Sequence, residues 1–112
     1  KKLFNGQLSI VRSQLLKLWG IGPETADSML LYAGGQPTFV IDAYTKRLCE
    51  CFGLRFKTYD EYKKFFEKNL PRRQKLYNEY HALVVAWGKL YNRDKIQALK
   101  ILGKHYQVAA AT

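Results

Sequence analysis

Leu18-Trp19-Gly20-Ile21-Gly22-Pro23-Glu24-Thr25-Ala26 is the stretch on which the fold of this chain turns. Before it, Leu8, Val11, Leu15 and Leu18 recur at helical spacing and predict an amphipathic helix over residues 9–19. Gly20-Ile21-Gly22 breaks that helix. Pro23 suits the first turn of the next one, where its missing N–H has no bond to lose. The second helix is expected over residues 23–33, burying Ala26, Met29 and Leu30 and stopping at Gly34-Gly35. A turn this tight leaves backbone N–H groups at the start of the second helix facing outward, where they suit a phosphate oxygen. Gly20 and Gly22 allow positive φ or close approach, and Ile21 can pin the turn to the core. The same glycines could merely reverse the chain in an ordinary αα-hairpin, and Gly-x-Gly alone does not separate the two readings.

Downstream, Pro37-Thr38-Phe39-Val40-Ile41 is a short extended apolar run leading to Asp42, which is placed to cap a helix over residues 43–52. Gly53 closes that helix. Thr58 and Glu61 make a T-x-x-E capping box, opening a helix that carries Tyr62, Phe65 and Phe66 and ends at Pro71. The longest helix is expected over residues 74–91, with Leu76, Tyr80, Leu83, Val84 and Trp87 inward, and a last one over 95–105. Strand signals are nearly absent, so the class is all-α, a helical hairpin followed by a helical bundle. Residues 109–112 form a simple tail expected to fray.

The 112 residues can bury one modest core, and 47% hydrophobic with 14% aromatic residues is a globular composition. Nineteen Lys and Arg against nine Asp and Glu give a formal charge of +10, which favours a polyanionic partner. Ribosomal, membrane-surface and heparin-binding proteins share that property, so charge alone names no partner. Cys49 and Cys51 stand too close for an ordinary disulfide within a helix and lack the spacing of a zinc or iron–sulfur site. They read as reduced thiols of an intracellular protein, one of them buried. No apolar run approaches the length of about 18 residues that a membrane span needs, and no signal segment opens the chain. The expectation is a protein of the cytoplasm, nucleoid or nucleus with no membrane partner. A start at Lys1 without Met suggests a fragment or a processed chain.

Leu18 through Ala26 resembles the L-P-G-V-G-x-x-T-A hairpin of the helix-hairpin-helix DNA glycosylases, with Trp19 where that family usually has Pro. Gly34-Gly35-Gln36-Pro37 and Phe39-Val40-Ile41-Asp42 look like the family's glycine turn and its apolar approach to a catalytic aspartate. Tyr80-His81-Ala82-Leu83-Val84-Val85-Ala86-Trp87-Gly88-Lys89 resembles its later helix ending in Gly-Arg or Gly-Lys. The resemblance is to the endonuclease III-like branch and runs from about residue 15 to 91. It implies a two-lobed fold, with residues 1–35 ending a six-helix lobe and 36–112 forming the C-terminal helical lobe. It further implies base-excision repair: hydrolysis of the N-glycosidic bond of a damaged or mismatched base in double-stranded DNA.

On this resemblance Asp42 is the catalytic residue. Departure of a base leaves positive character on the deoxyribose, which a carboxylate stabilises, and the same group can orient or deprotonate water. Taken without the resemblance, Asp42 reads as a plain N-cap. Gly20, Ile21, Gly22, Glu24, Thr25, Lys46 and Lys89 are the implied DNA contacts, with Arg47 beside Lys46 one helical turn beyond Asp42. Glu24 stands where bifunctional members carry a Schiff-base lysine, so the resemblance implies a monofunctional enzyme. Glu24 equally suits the positive end of its helix. Many relatives bind a 4Fe–4S cluster through four cysteines beginning near the position of Asn92; here no cysteine follows Cys51, so no cluster is expected. No side-chain metal site is expected; the family suggests a monovalent cation on hairpin carbonyls.

The family also places several helices before the hairpin, and this chain has about one there. A separate N-terminal segment is therefore the expected partner, and the isolated chain is expected to be weak or inactive. His81 matches a family position but is more often a packed helix residue than a general base. Tyr44 could stack on a base by proximity to Asp42, although most tyrosines here read as core. Arg93, Lys95, Lys100 and Lys104 near the end face a single acid, Asp94, and are either a solvated face or extra DNA contacts. The rival to an enzyme is a non-catalytic helix-hairpin-helix DNA-binding module.

Overall fold

Among the described residues the chain forms six α-helices and no strand. A computed structural model describes residues 5–105, with side chains from 7 to 103. The tail at 109–112 and the side chain of Lys104 lie outside that range. The elements are α1 (Asn5–Leu16), α2 (Pro23–Ser28) continued by a π-helical turn (Met29–Ala33), α3 (Ala43–Cys51), α4 (Tyr59–Asn69), α5 (Gln74–Arg93) and α6 (Lys95–His105). The all-α class expected from the sequence is the class observed.

The first helix begins and ends earlier than its apolar spacing predicts. Lys17 N–H bonds the Gln14 carbonyl at 3.2 Å and Leu18 N–H that of Leu15 at 3.0 Å, three-residue spans that tighten the last turn. Gly20 then takes φ +82°, a conformation costly for any residue with a Cβ. Leu18 and Trp19 are thereby carried off the helical face. Leu18 is exposed rather than inward, and Trp19 is 100% exposed.

The second helix covers the expected range but changes geometry midway. Gly34 N–H bonds the Met29 carbonyl at 3.0 Å, a five-residue span, and Gln36 N–H reaches the Leu30 carbonyl at 2.9 Å across Gly35 at φ +62°. The wider turn shifts the buried face by one residue. Leu30 and Leu31 are buried, whereas Met29, expected in the core, is 43% exposed. A similar error in phase affects α5. Val84 and Tyr77 are buried there, but Leu83, expected inward, is 71% exposed.

Residues 36–41 form the centre of the molecule, and Phe39, Val40 and Ile41 are all buried. An extended segment with no neighbouring strand must satisfy its amides otherwise. Phe39 N–H donates to the Glu67 carboxylate at 2.8 Å, and Ile41 N–H to the Tyr59 hydroxyl at 3.1 Å. Both acceptors come from α4, whose start is fixed by the expected capping box of Thr58 and Glu61. Lys63, one turn before Glu67, pairs with it. The Phe39 ring stacks on Phe66 with centroids 4.6 Å apart, and Tyr77 of α5 meets its edge at 5.4 Å.

A buried carboxylate ties these pieces together. Asp27 of α2 has no exposed surface and accepts four hydrogen bonds. Two come from the Arg12 guanidinium at 2.8 and 3.0 Å, one from Thr38 Oγ1 at 2.8 Å and one from Tyr59 Oη at 2.8 Å. The bidentate pair with Asp27 raises the Arg12 pKa above its ordinary value, despite the opposing effect of burial. Burial first, and then the charge of Asp27, pushes the Tyr59 phenol well above its ordinary range, so it remains a donor. Through Thr38 and Tyr59, Asp27 holds both ends of the run that delivers Asp42.

The packing of α3 on α5 rests on Gly88. A Cβ built there would meet Tyr44 Cδ1 at 2.1 Å and Cγ at 2.4 Å, so the Tyr44 ring occupies the space a side chain would need. Tyr44 thus packs against α5, which accounts for it without a base-stacking role. Gly88→Ala is expected to cost about 1–3 kcal/mol, as overpacking does in close-packed interiors. Urea denaturation should show this as a lower midpoint with an unchanged slope.

Candidate active site

Asp42 ends the extended run and caps α3. Its Oδ1 accepts from Thr45 N–H at 2.8 Å and from Thr45 Oγ1 at 2.9 Å, and Thr45 itself is buried. Its Oδ2 lies 2.9 Å from His81 Nε2, on the middle of α5. The other ring nitrogen, His81 Nδ1, lies 2.6 Å from the hydroxyl of Tyr32, on the π-helical turn. The side chains of Asp42 and His81 are each 13% exposed, and Tyr32 is 50% exposed. Two elements distant in sequence therefore meet at one carboxylate, α3 through Thr45 and α5 through His81, and Tyr32, half open to solvent, joins them through His81.

Burial would raise the Asp42 pKa, but the hydrogen bonds from His81 and then from Thr45 outweigh it. The carboxyl is held below its ordinary value and is ionised at neutral pH. Tyr32 moves the other way: burial and then the charge of Asp42 raise its pKa, so it keeps its proton. An ionised, largely enclosed carboxylate at a helix N-terminus can stabilise developing positive charge or orient water.

The hairpin lies between Leu16 and Pro23. The first bond of α2 joins Ala26 N–H to the Gly22 carbonyl at 2.9 Å, and no side chain caps this helix. Pro23 has no N–H, so the amides of Glu24 and Thr25 precede the ladder. A Cβ at Gly20 or Gly22 would meet nothing within 4 Å, so the outer face of the turn is open to a close-approaching group. Ile21 is half-buried, and the side chains of Glu24 and Thr25 are exposed. Lys46 and Lys89 are also exposed, and no ion pair joins either to Asp42 among the described residues. Lys46 sits 5.9 Å from the Tyr62 ring centre, and Arg47 lies 4.8 Å from that of Tyr91.

Cys49 is buried and Cys51 half-buried, and both are free thiols. Burial and the neighbouring Glu50 push the Cys49 thiol up to about 11, which disfavours the thiolate a metal ligand requires. Asp94 also has a local role: it accepts from Gln97 N–H at 3.1 Å at the start of α6. No helix among the described residues is long and apolar enough to cross a membrane.

Two partners of the site escaped sequence reasoning. His81 reads as an ordinary packed residue, yet it bonds Asp42 directly; its position 39 residues away gives no local sign of this. Tyr32 reads as one of many helix-spaced tyrosines, and only the π-helical turn aims it at His81.

Against known proteins, 88 residues are 50% identical to a protein of Methanocaldococcus jannaschii provisionally named a DNA repair glycosylase. This chain is a relative of that protein. The match takes in 77% of this chain and 40% of the relative, so the chain spans less than half the relative's length. No family model matches the chain, and no solved structure matches it significantly.

Proposed function

We propose that this chain carries the catalytic carboxylate and the phosphate grip of a helix-hairpin-helix, endonuclease III-like DNA glycosylase acting in base-excision repair. The observation that carries the reading is Asp42, an ionised carboxylate at a helix N-terminus, with His81 and Tyr32 ordered behind it. In the proposed reaction the C1′–N bond of a damaged nucleotide breaks and its electron pair leaves with the base. Positive character on the sugar faces Asp42. A water forms the new C1′–O bond and gives up its proton, which Asp42 accepts and passes on to the departing base. Glu24 cannot form a Schiff base, so the reaction stops at the abasic site. The relative's name, for a DNA repair glycosylase, agrees with this reading.

Gly20, Ile21, Gly22, Glu24 and Thr25 would grip a phosphate through the open turn, with Lys46 and Lys89 adding charge toward double-stranded DNA. Residues 1–35 would complete one lobe and 36–112 the other, with the nucleotide between them. No iron–sulfur cluster takes part in the proposal, since the chain holds only Cys49 and Cys51. A monovalent cation on hairpin carbonyls would need no side chain.

The deciding assay is single-turnover excision on duplexes each carrying one damaged base, using this chain and the two-lobed protein to which we assign it. Strand breaks that appear only after alkali support a monofunctional glycosylase, and a borohydride-trapped covalent complex counts against it. The capping bonds of Asp42 favour one alternative, a non-catalytic DNA-binding module, for which no excision accompanies salt-sensitive binding.

Trp19 extends the proposed grip, because its whole indole projects from the hairpin. In a Trp87→Phe protein its emission should be quenched on adding DNA. Trp19→Ala should weaken binding by about tenfold, the loss of one aromatic contact to nucleic acid. Salt-sensitive binding with unchanged emission would remove the hairpin tip from the interface.

A further inference from the structure

We propose that Tyr32 and His81 are positioning residues that leave a single lone pair on Asp42, making Oδ2 the oxygen that meets the substrate. The inference rests on the reading of Asp42 as the glycosylase carboxylate, and its chemistry follows from counting acceptors. A carboxylate oxygen has about two lone-pair directions. Oδ1 uses both on Thr45, at 2.8 and 2.9 Å, and Thr45 is fully buried. Oδ2 uses one on His81 Nε2 at 2.9 Å. Its second direction is the only acceptor capacity the side chain retains.

The proton arrangement follows in one sense only for a neutral imidazole. An ionised Asp42 has no proton to give, so the hydrogen in the Asp42–His81 bond belongs to Nε2. Nδ1 is then an acceptor and takes the Tyr32 O–H across 2.6 Å. Each donor fixes the next, as an outer partner fixes the tautomer of a metal-bound or catalytic histidine. Burial, and then the charge on Asp42, disfavour ionisation of Tyr32, so the outermost donor is retained.

The ionisable groups facing Asp42 are His81 from α5 and Tyr32 from the π-helical turn, while Thr45 on its own helix does not titrate. Lys46, one turn along α3, is turned toward Tyr62. Excision therefore requires the Asp42 carboxylate and is lost as pH falls through its pKa. Removing the bond from His81 raises that pKa and moves the loss to higher pH.

The test has two arms. In the first, ring 15N shifts of the protein report the His81 tautomer without any assay of activity. The wild type is expected as the Nε2–H form, and Tyr32→Phe as the same tautomer with its Nδ1 resonance displaced by the loss of the Tyr32 donor. In the second, His81→Leu is expected to slow single-turnover excision by roughly 10- to 100-fold, the worth of a hydrogen bond to a charged group. Its acid limb should move to higher pH, and His81→Gln should restore part of both by supplying an amide donor. An Nδ1–H tautomer in the wild type, or an acid limb unmoved in His81→Leu, overturns the proposal. Absence of excision in the wild type instead overturns the glycosylase reading, and the tautomer arm still decides the hydrogen-bond order.

Discussion

Asp42→Asn is expected to lower single-turnover excision by at least about 100-fold while DNA binding and folding persist. The prediction separates the two roles one residue can hold. Asparagine is as good an N-cap as aspartate, and its side-chain oxygen can still accept from Thr45 N–H. The cap therefore persists, while loss of the charge-assisted bond from His81 lowers the thermal midpoint modestly near neutral pH. What disappears is the negative charge opposite the sugar. Acid offers a second check. Because folding lowers the Asp42 pKa, its carboxylate contributes stability above its unfolded pKa, and that contribution is lost as pH falls through the folded value. The asparagine protein should lack that part of the acid destabilisation. Undiminished excision by the variant, with DNA still bound, would make Asp42 a cap and nothing more.

Asp27→Ala is expected to be the most damaging change to the fold, at about 3–5 kcal/mol. It strands the Arg12 guanidinium and deprives Thr38 and Tyr59 of their common acceptor. A domain of this size has a total stability of about 5–15 kcal/mol, so much of the population could unfold at physiological temperature. A matched double variant makes the cause testable. Arg12→Leu with Asp27→Leu removes both charges and fills the space with apolar groups, a replacement that is often tolerated. It should be markedly more stable than Asp27→Ala alone in urea denaturation. Equal losses in the two proteins would show that the ion pair is not what the site depends on.

Local signals in the sequence were read correctly where local physics decides them. The T-x-x-E box, Asp42 before α3, Gly53 at φ +76° after it and the Pro71 boundary all concern a few adjacent residues. Helical period alone failed wherever backbone geometry departed from it. The early end of α1 exposed Trp19, and the wide turn at Met29–Ala33 exchanged Met29 for Leu31 in the core. The role of Asp27 was invisible for another reason. In sequence it is a polar residue inside a short helix, and its four donors come from residues 12, 38 and 59. Of the candidate site, Asp42 and the hairpin were legible through resemblance. The His81 and Tyr32 contacts required the packing of α5 across α3 at Gly88.

The π-helical turn also constrains how the chain length can vary. An α-helix advances about 100° per residue, and the wider turn accommodates one residue more than a regular helix over the same span. A chain shortened by one residue between Ser28 and Ala33 could recover regular helical bonding there and improve its local geometry. The same deletion would rotate the positions on either side of it by about 100° relative to each other, so Tyr32 and the Leu30–Leu31 pair could not all keep their present directions. Single-residue deletions in this turn should therefore leave helix content intact in circular dichroism yet uncouple Tyr32 from His81. Register, more than residue identity, is what this part of the molecule must preserve.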